Sequence, residues 1–120
     1  MAGLYKKIEY QSSYELAFIM WNLDQGNDIK RFDLEGISYS WEGKEHRYYP
    51  DFIVNENKIV EVKGKGGIYN KYKELCDIKN KALKVWCRTN NFYDRLIFDT
   101  DLSKDLIKKA RKWHKRQKLF

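Results

Sequence analysis

Asp51, Glu61 and Lys63 are charges set where the surrounding residues ask for an apolar strand. Asp51 lies within Tyr48-Tyr49-Pro50-Asp51-Phe52-Ile53-Val54, and Glu61 and Lys63 interrupt Lys58-Ile59-Val60-Glu61-Val62-Lys63. An ionised group inside an Ile/Val strand costs desolvation energy unless something compensates it. The compensator that suits two neighbouring carboxylates is a hard divalent cation, Mg²⁺ with Mn²⁺ as a substitute. A lysine beside such an ion suits chemistry on a phosphate. Any one of these charges alone is more often plain surface; their spacing makes the metal reading the stronger one.

Strand alternation puts Ile59, Glu61 and Lys63 on one face and Val60 and Val62 on the other. If Asn55-Glu56-Asn57 is a three-residue loop, with an Asn at its end in the left-handed region, Val54 faces Lys58 and Ile53 faces Ile59. Asp51 then faces Glu61, with Cβ atoms roughly 4.5–5.5 Å apart. Like charges so placed destabilise a sheet and call for a cation between them. A two-residue loop would put the acids on opposite faces and end the argument. Pro50, the only proline, fixes the backbone just ahead of Asp51.

These groups need elements to hold them. Ser12-Ser13-Tyr14-Glu15 has the form of a capping box and opens a helix to about Asp24, with Leu16, Ile19, Met20 and Leu23 on its core face. Extended segments are expected over residues 29–34 and 37–41. A turn at Glu42-Gly43-Lys44 leads to a strand through Tyr49, and the two motif strands follow. Beyond Gly64, Gly66 and Gly67 the pattern predicts a helix over 68–82, with Ile68, Tyr72, Leu75 and Cys76 as its buried stripe. Residues 83–88 then read as a strand parallel to 59–63, reached through the helical crossover such pairing requires. Tyr93–Phe98 adds an edge strand. A basic helix closes the chain over about 102–117, with Leu102, Leu106, Ala110 and Trp113 inward. The fold class is α/β, a mixed β-sheet flanked by helices, in one domain over 1–120.

The formal charge of +7 gives an electropositive field that suits a polyanionic partner. Cys76 and Cys87 have no metal-ligand spacing, so neither a zinc site nor a disulfide framework is expected, and both thiols read as reduced. No signal peptide or membrane span is visible. A cytoplasmic setting is expected, that of the host cell if a phage encodes the chain.

Pro50-Asp51 and Glu61-Val62-Lys63 together resemble the PD-(D/E)xK nuclease superfamily. Its first-helix acid corresponds to Glu15, which local sequence equally casts as the reciprocal half of the capping box. With Arg47-Tyr48-Tyr49-Pro50-Asp51-Phe52, the likeness over roughly 11–88 extends to three groups. They are phage junction-resolving endonucleases of the endonuclease I type, phage head-completion nucleases, and the end-cutting endonuclease subunits of transposases. The resemblance implies a restriction-endonuclease-like fold with a catalytic core over about 11–89. It also implies a Mg²⁺-dependent DNA endonuclease of phage or mobile-element type, with branched or junction DNA as a candidate substrate. Asp51, Glu61 and Glu15 would be the metal ligands, with the Val62 carbonyl completing the shell, and Lys63 would serve the attacking water or the transition state.

Lys65 in the glycine loop, Lys71 and Lys73 on the following helix, and Lys108, Lys112 and Arg116 on the last helix are candidate DNA-backbone contacts. The ordinary reading of that last run is a solvated face. His46 reads as strand surface. A homodimer is expected from the need to cut two strands, and a protein partner could direct it to its target. The competing reading is a catalytically silent nuclease-like module that binds nucleic acid or assembles with partners.

Overall fold

The computed structural model describes residues 1–64 and 72–117. The expected helix start at Ile68, the glycines Gly66 and Gly67, and Lys65, Lys71 and Lys118 lie outside the described residues. The centre of the sheet is the hairpin of β6 (Phe52–Val54) and β7 (Lys58–Lys63), paired Phe52↔Val60, Ile53↔Ile59 and Val54↔Lys58. The loop is therefore the three-residue one. Asn55 and Glu56 take the left-handed conformation, at φ 51° and 65°, rather than Asn57. Asn55 also fixes the loop against the turn before the next strand. It accepts from the Asp28 N–H at 2.9 Å through Oδ1, and its own N–H donates to the Asp28 carbonyl at 2.8 Å.

β3 (Ile29–Arg31) pairs antiparallel with β6, and β8 (Tyr93–Phe98) pairs parallel with β7, giving the order β3-β6-β7-β8. The sheet is mixed, as expected, and alternation divides the core between its faces. Phe52, Val54, Val60 and Val62 meet α1 (Ser13–Asp24) and α3 (Lys104–Gln117) through residues that include Leu16, Ile19, Met20 and Ala110. Ile53 and Ile59 meet Leu83 and Cys87 of α2 (Lys73–Thr89) on the other. The cap of α1 is as its sequence implies: Ser12 is extended and its Oγ accepts from the Glu15 N–H at 3.1 Å.

Residues 83–88 are helix, not strand, a correction to the sequence reading. Leu-Lys-Val-Trp-Cys-Arg alternates like a strand, yet Leu83 and Cys87 are also one helical turn apart. Burial decides between the two periods. Leu83 is 1% and Cys87 0% exposed, whereas Val85, which a strand would place beside them, is 59% exposed. The crossover helix thus runs on to Thr89, and Tyr93–Phe98 takes the place beside β7 that 83–88 was expected to fill. The anticipated stripe shifts with it: Tyr72 is exposed and precedes the helix, and Leu75 and Cys76 are only half-buried.

Two small hairpins complete the fold. β1 (Gly3–Tyr5) and β2 (Ile8–Tyr10) turn through Lys6 and Lys7, both at positive φ, and lie against α1 and α3. Their turn has no Asn or Gly to announce it. Gly3 is required there, because a Cβ would come within 2.5 Å of the Tyr10 hydroxyl oxygen. β4 (Ile37–Trp41) and β5 (Lys44–Tyr48) form a separate ribbon whose Ile37 and Tyr48 join the α2 side of the core. The helical face of α2 has a direct check. Leu83→Ala should cost about 2–4 kcal/mol and Val85→Ala under about 0.5 in chemical denaturation, whereas a strand at 83–88 would make the two costs alike.

Candidate active site

The three acids come from three elements that meet at the C-terminal end of β7. Glu15 is in the first turn of α1 and 8% exposed, Glu61 is in β7 and 6% exposed, and Asp51 lies just ahead of β6. Asp51 departs from the expected geometry. The ladder stops at Phe52↔Val60, so Asp51 is not a strand residue paired across from Glu61. Its carboxylate instead caps the sheet, Oδ2 accepting from the Val62 N–H at 2.7 Å, while its carbonyl accepts from the Phe32 N–H at 3.0 Å. The Pro50-Asp51 bend places the acid by tying it to β7 from outside the ladder.

Glu15 does not close the capping box on the Ser12 N–H; its carboxylate is drawn to the residue ahead of the cap and to β3 instead. Its Oε1 accepts from the Gln11 N–H at 3.2 Å and from Arg31 Nη1 at 2.5 Å. The other guanidinium nitrogen of Arg31, Nη2, lies 3.7 Å from Asp51 Oδ1, and the group sits 4.8 Å from the centre of the Phe52 ring. Glu61 accepts a hydrogen bond from the Tyr48 hydroxyl through Oε2. Lys63 ends β7 half-buried, and with Tyr48, Glu61 and Lys79 it lines a cavity of about 20 Å³, room for one water-sized occupant. The Lys79 ammonium stands 5.6 Å from the ring of Tyr48 and 5.8 Å from that of Tyr39.

Burial dominates the electrostatics. It lifts Glu61 to about 7 against the attraction of Lys63 and Lys79, with the charge of Glu15 adding to the rise. Burial likewise lifts Asp51 to about 6, again helped by Glu15 and opposed by the Val62 N–H, Arg31 and Lys63. These groups therefore feel one another. Among the described residues no group of three or more His, Cys, Asp or Glu side chains is arranged as a metal cage. The donor chemistry nonetheless fits a hard divalent ion: all three acids offer carboxylate oxygens, and two are desolvated with less positive charge than they need to stay ionised.

The remaining candidates are dispersed. Lys73, at the start of α2, is exposed and bridges to Asp77 at 3.0 Å. Lys108, Lys112 and Arg116 are exposed on α3. Lys109 lies 3.7 Å from Asp24 at the end of α1, whereas His114 holds Tyr10 just ahead of α1. The two helices are thus antiparallel, and the Arg116 end of α3 points toward the end of α1 that carries Glu15. His46 is half-buried in β5 and stacks on Tyr39 at 5.4 Å.

Arg31, Tyr48 and Lys79 are the site residues that sequence reasoning did not assign. Tyr48 stood inside the motif, but nothing in its type marked it as the partner of Glu61. Arg31 and Lys79 have no sequence signal, because their places depend on β3 lying beside β6 and α2 lying over β7. No protein-family model, curated protein or solved structure matches the chain, so the site itself is what a functional reading must rest on. No helix among the described residues is long and apolar enough to cross a membrane.

The raised carboxyls make stability depend on pH. Glu61 rises from its ordinary 4.5 to about 7, so between those values the folded chain holds the proton that the unfolded chain has lost. Without added metal, stability should fall as pH climbs from about 4.5 to above 7, by on the order of 3 kcal/mol from Glu61 alone. Urea titrations across this window check it: Glu61→Gln should remove the dependence between about pH 6 and 7 and leave the comparable contribution of Asp51, which is complete near pH 6.

Proposed function

We propose that the chain is a divalent-metal-dependent DNA endonuclease of phage or mobile-element type, with a restriction-endonuclease-like fold. The observation that carries the reading is the convergence of Glu15, Asp51 and Glu61 beside Lys63 at one end of β7, with Asp51 and Glu61 both desolvated. An acidic cluster lifted by desolvation gains little as a structural device, since well-packed apolar residues would be as stable or more so. As a cation site it has a use. The crossover helix between parallel β7 and β8, and helices on both sheet faces, support the fold assignment.

Asp51, Glu61 and Glu15 would hold the ion, with the Val62 carbonyl beside them. A bound Mg²⁺ would supply an acidified water and stabilise charge on the phosphate and the leaving oxygen. The chain's own groups do the rest. The Val62 N–H fixes the Asp51 carboxylate, and the Tyr48 hydroxyl fixes that of Glu61. Lys63, a cation beside Glu61, orients the attacking water or balances charge on the phosphate. The exposed cations of α3 give a DNA backbone a surface that runs along α1, from the Asp24 end near Lys109 toward the Glu15 end near Arg116. The sequence offers no base-reading motif, so selection by shape, by a homodimeric arrangement or by a protein partner fits best. Branched or junction DNA is the leading substrate, in a cytoplasmic setting.

A second reading has its own observation in favour. Arg31 already neutralises Glu15 and lies near Asp51, as it would in a metal-free nucleic-acid-binding or assembly module. Four-way junction, flap, linear duplex and single-stranded DNA, each incubated with Mg²⁺, separate the two. Cleavage that Asp51→Ala or Lys63→Ala lowers by about 10²-fold or more is expected, with the junction cut preferentially. Binding without cutting in either Mg²⁺ or Mn²⁺ selects the module.

The basic helix is tested apart from cleavage. Replacing Lys108, Lys112 and Arg116 by Gln should weaken binding to all sequences alike. It should also reduce the slope of log affinity against log salt by about 0.9 for each duplex phosphate that the variant leaves unneutralised.

A further inference from the structure

Arg31 is placed by the sheet. In β3 it pairs with Phe52, its guanidinium lies over that residue's ring, and the neighbouring Phe32 N–H is held by the Asp51 carbonyl. The backbone that carries Arg31 is thus tied to the backbone that carries Asp51. One guanidinium then reaches two of the three acids, bonding Glu15 Oε1 at 2.5 Å and lying 3.7 Å from Asp51 Oδ1. Its side chain is 28% exposed, so the charged end has an outlet to water. The third acid, Glu61, takes its hydrogen bond from Tyr48 and feels Lys63 and Lys79 more strongly than Arg31.

A purely structural ion pair would need one carboxylate. Here a single positive charge stands between two carboxylates proposed as ligands of a doubly charged ion, and like charges cannot share that space without cost. We propose that Arg31 is the resident counter-cation of the acid cluster, released from Glu15 and Asp51 when a divalent ion binds, and that it thereby sets how tightly the ion is held. Released, it keeps its tether on β3 and presents a planar, two-pronged donor beside the ion, suited to a phosphate. The inference rests on the metal site of the nuclease reading.

Direct Mn²⁺ binding to the full chain, followed by calorimetry and by the paramagnetic resonance of free Mn²⁺, is the test. Arg31→Met should bind Mn²⁺ at least about tenfold more tightly than wild type, since a nearby like charge has been removed. It should melt at lower temperature than wild type without metal, and the gap should narrow in saturating Mn²⁺. Arg31→Lys, a point charge without the two-pronged reach, should fall between them. In wild type the guanidinium nitrogen resonances of Arg31 should shift on addition of Mg²⁺, a readout that no variant's folding can spoil.

Equal or weaker Mn²⁺ binding by a folded Arg31→Met chain, or unmoved Arg31 resonances in a wild type that binds the ion, overturns the counter-cation role. Either result leaves the nuclease reading standing. Wild type silent but Arg31→Met binding supports the role and makes Arg31 a lock. No binding by either chain overturns both the role and the metal site.

Discussion

Glu61 is a buried carboxylate on an interior strand of the sheet, and the rest of the site is arranged around the cost of having it there. Three of its strand neighbours are apolar, Val60 and Val62 beneath α1 and Ile59 against α2, and only Lys63 is charged. Helices cover the strand on both faces, so bulk water gives it little help. What relief exists comes from a hydroxyl on β5, a lysine at the end of its own strand and another on α2. Remove any of these elements and the charge is stranded. The ribbon of β4 and β5 shares no ladder with the main sheet, yet it delivers Tyr48, and this gives it a part in the site that its position at the margin would not suggest.

The same constraint accounts for the division of labour among the acids. Asp51 is bound to backbone and stays in place whatever cation is near. Glu15 stands in a first helical turn and shares one oxygen between the Gln11 N–H and Arg31. Glu61 alone depends on side chains for its polar partners. The three carboxylates are thus held in three ways, one by backbone, one by backbone and a guanidinium together, and one by side chains.

Much of this was legible in the residues, and the failures have specific causes. The hairpin register was readable on one condition, since alternation in Ile59–Lys63 admits one pairing once the loop has three residues, and the residues alone left a two-residue loop open. The first helix announced itself through Ser12, and the last through its inward Leu106, Ala110 and Trp113, although it starts at Lys104 and the expected Leu102 packs on the core from the extended residue ahead of it. Residues 83–88 misled because Leu83, Val85 and Cys87 satisfy a period of two while Leu83 and Cys87 also satisfy a helical turn; only burial separates them. Asp51 was read as a strand residue because counting back along a ladder assumes that the ladder continues, and the bend at Pro50 ends it. Arg31 and Lys79 were illegible for a different reason. Their roles arise from partners far along the chain, Asp51 for the one and Glu61 for the other, and no local pattern carries that.

The hydrogen bond between the Tyr10 hydroxyl and His114 Nδ1, 2.6 Å long and buried, joins residues 104 positions apart. Closing so wide a loop costs far more entropy than closing the β6–β7 hairpin, which turns over three residues. The acids and every cation that faces them, Arg31, Lys63 and Lys79, all precede α3 in the chain. The last helix therefore secures the fold through Tyr10 without lending the acid cluster any of the charge that balances it.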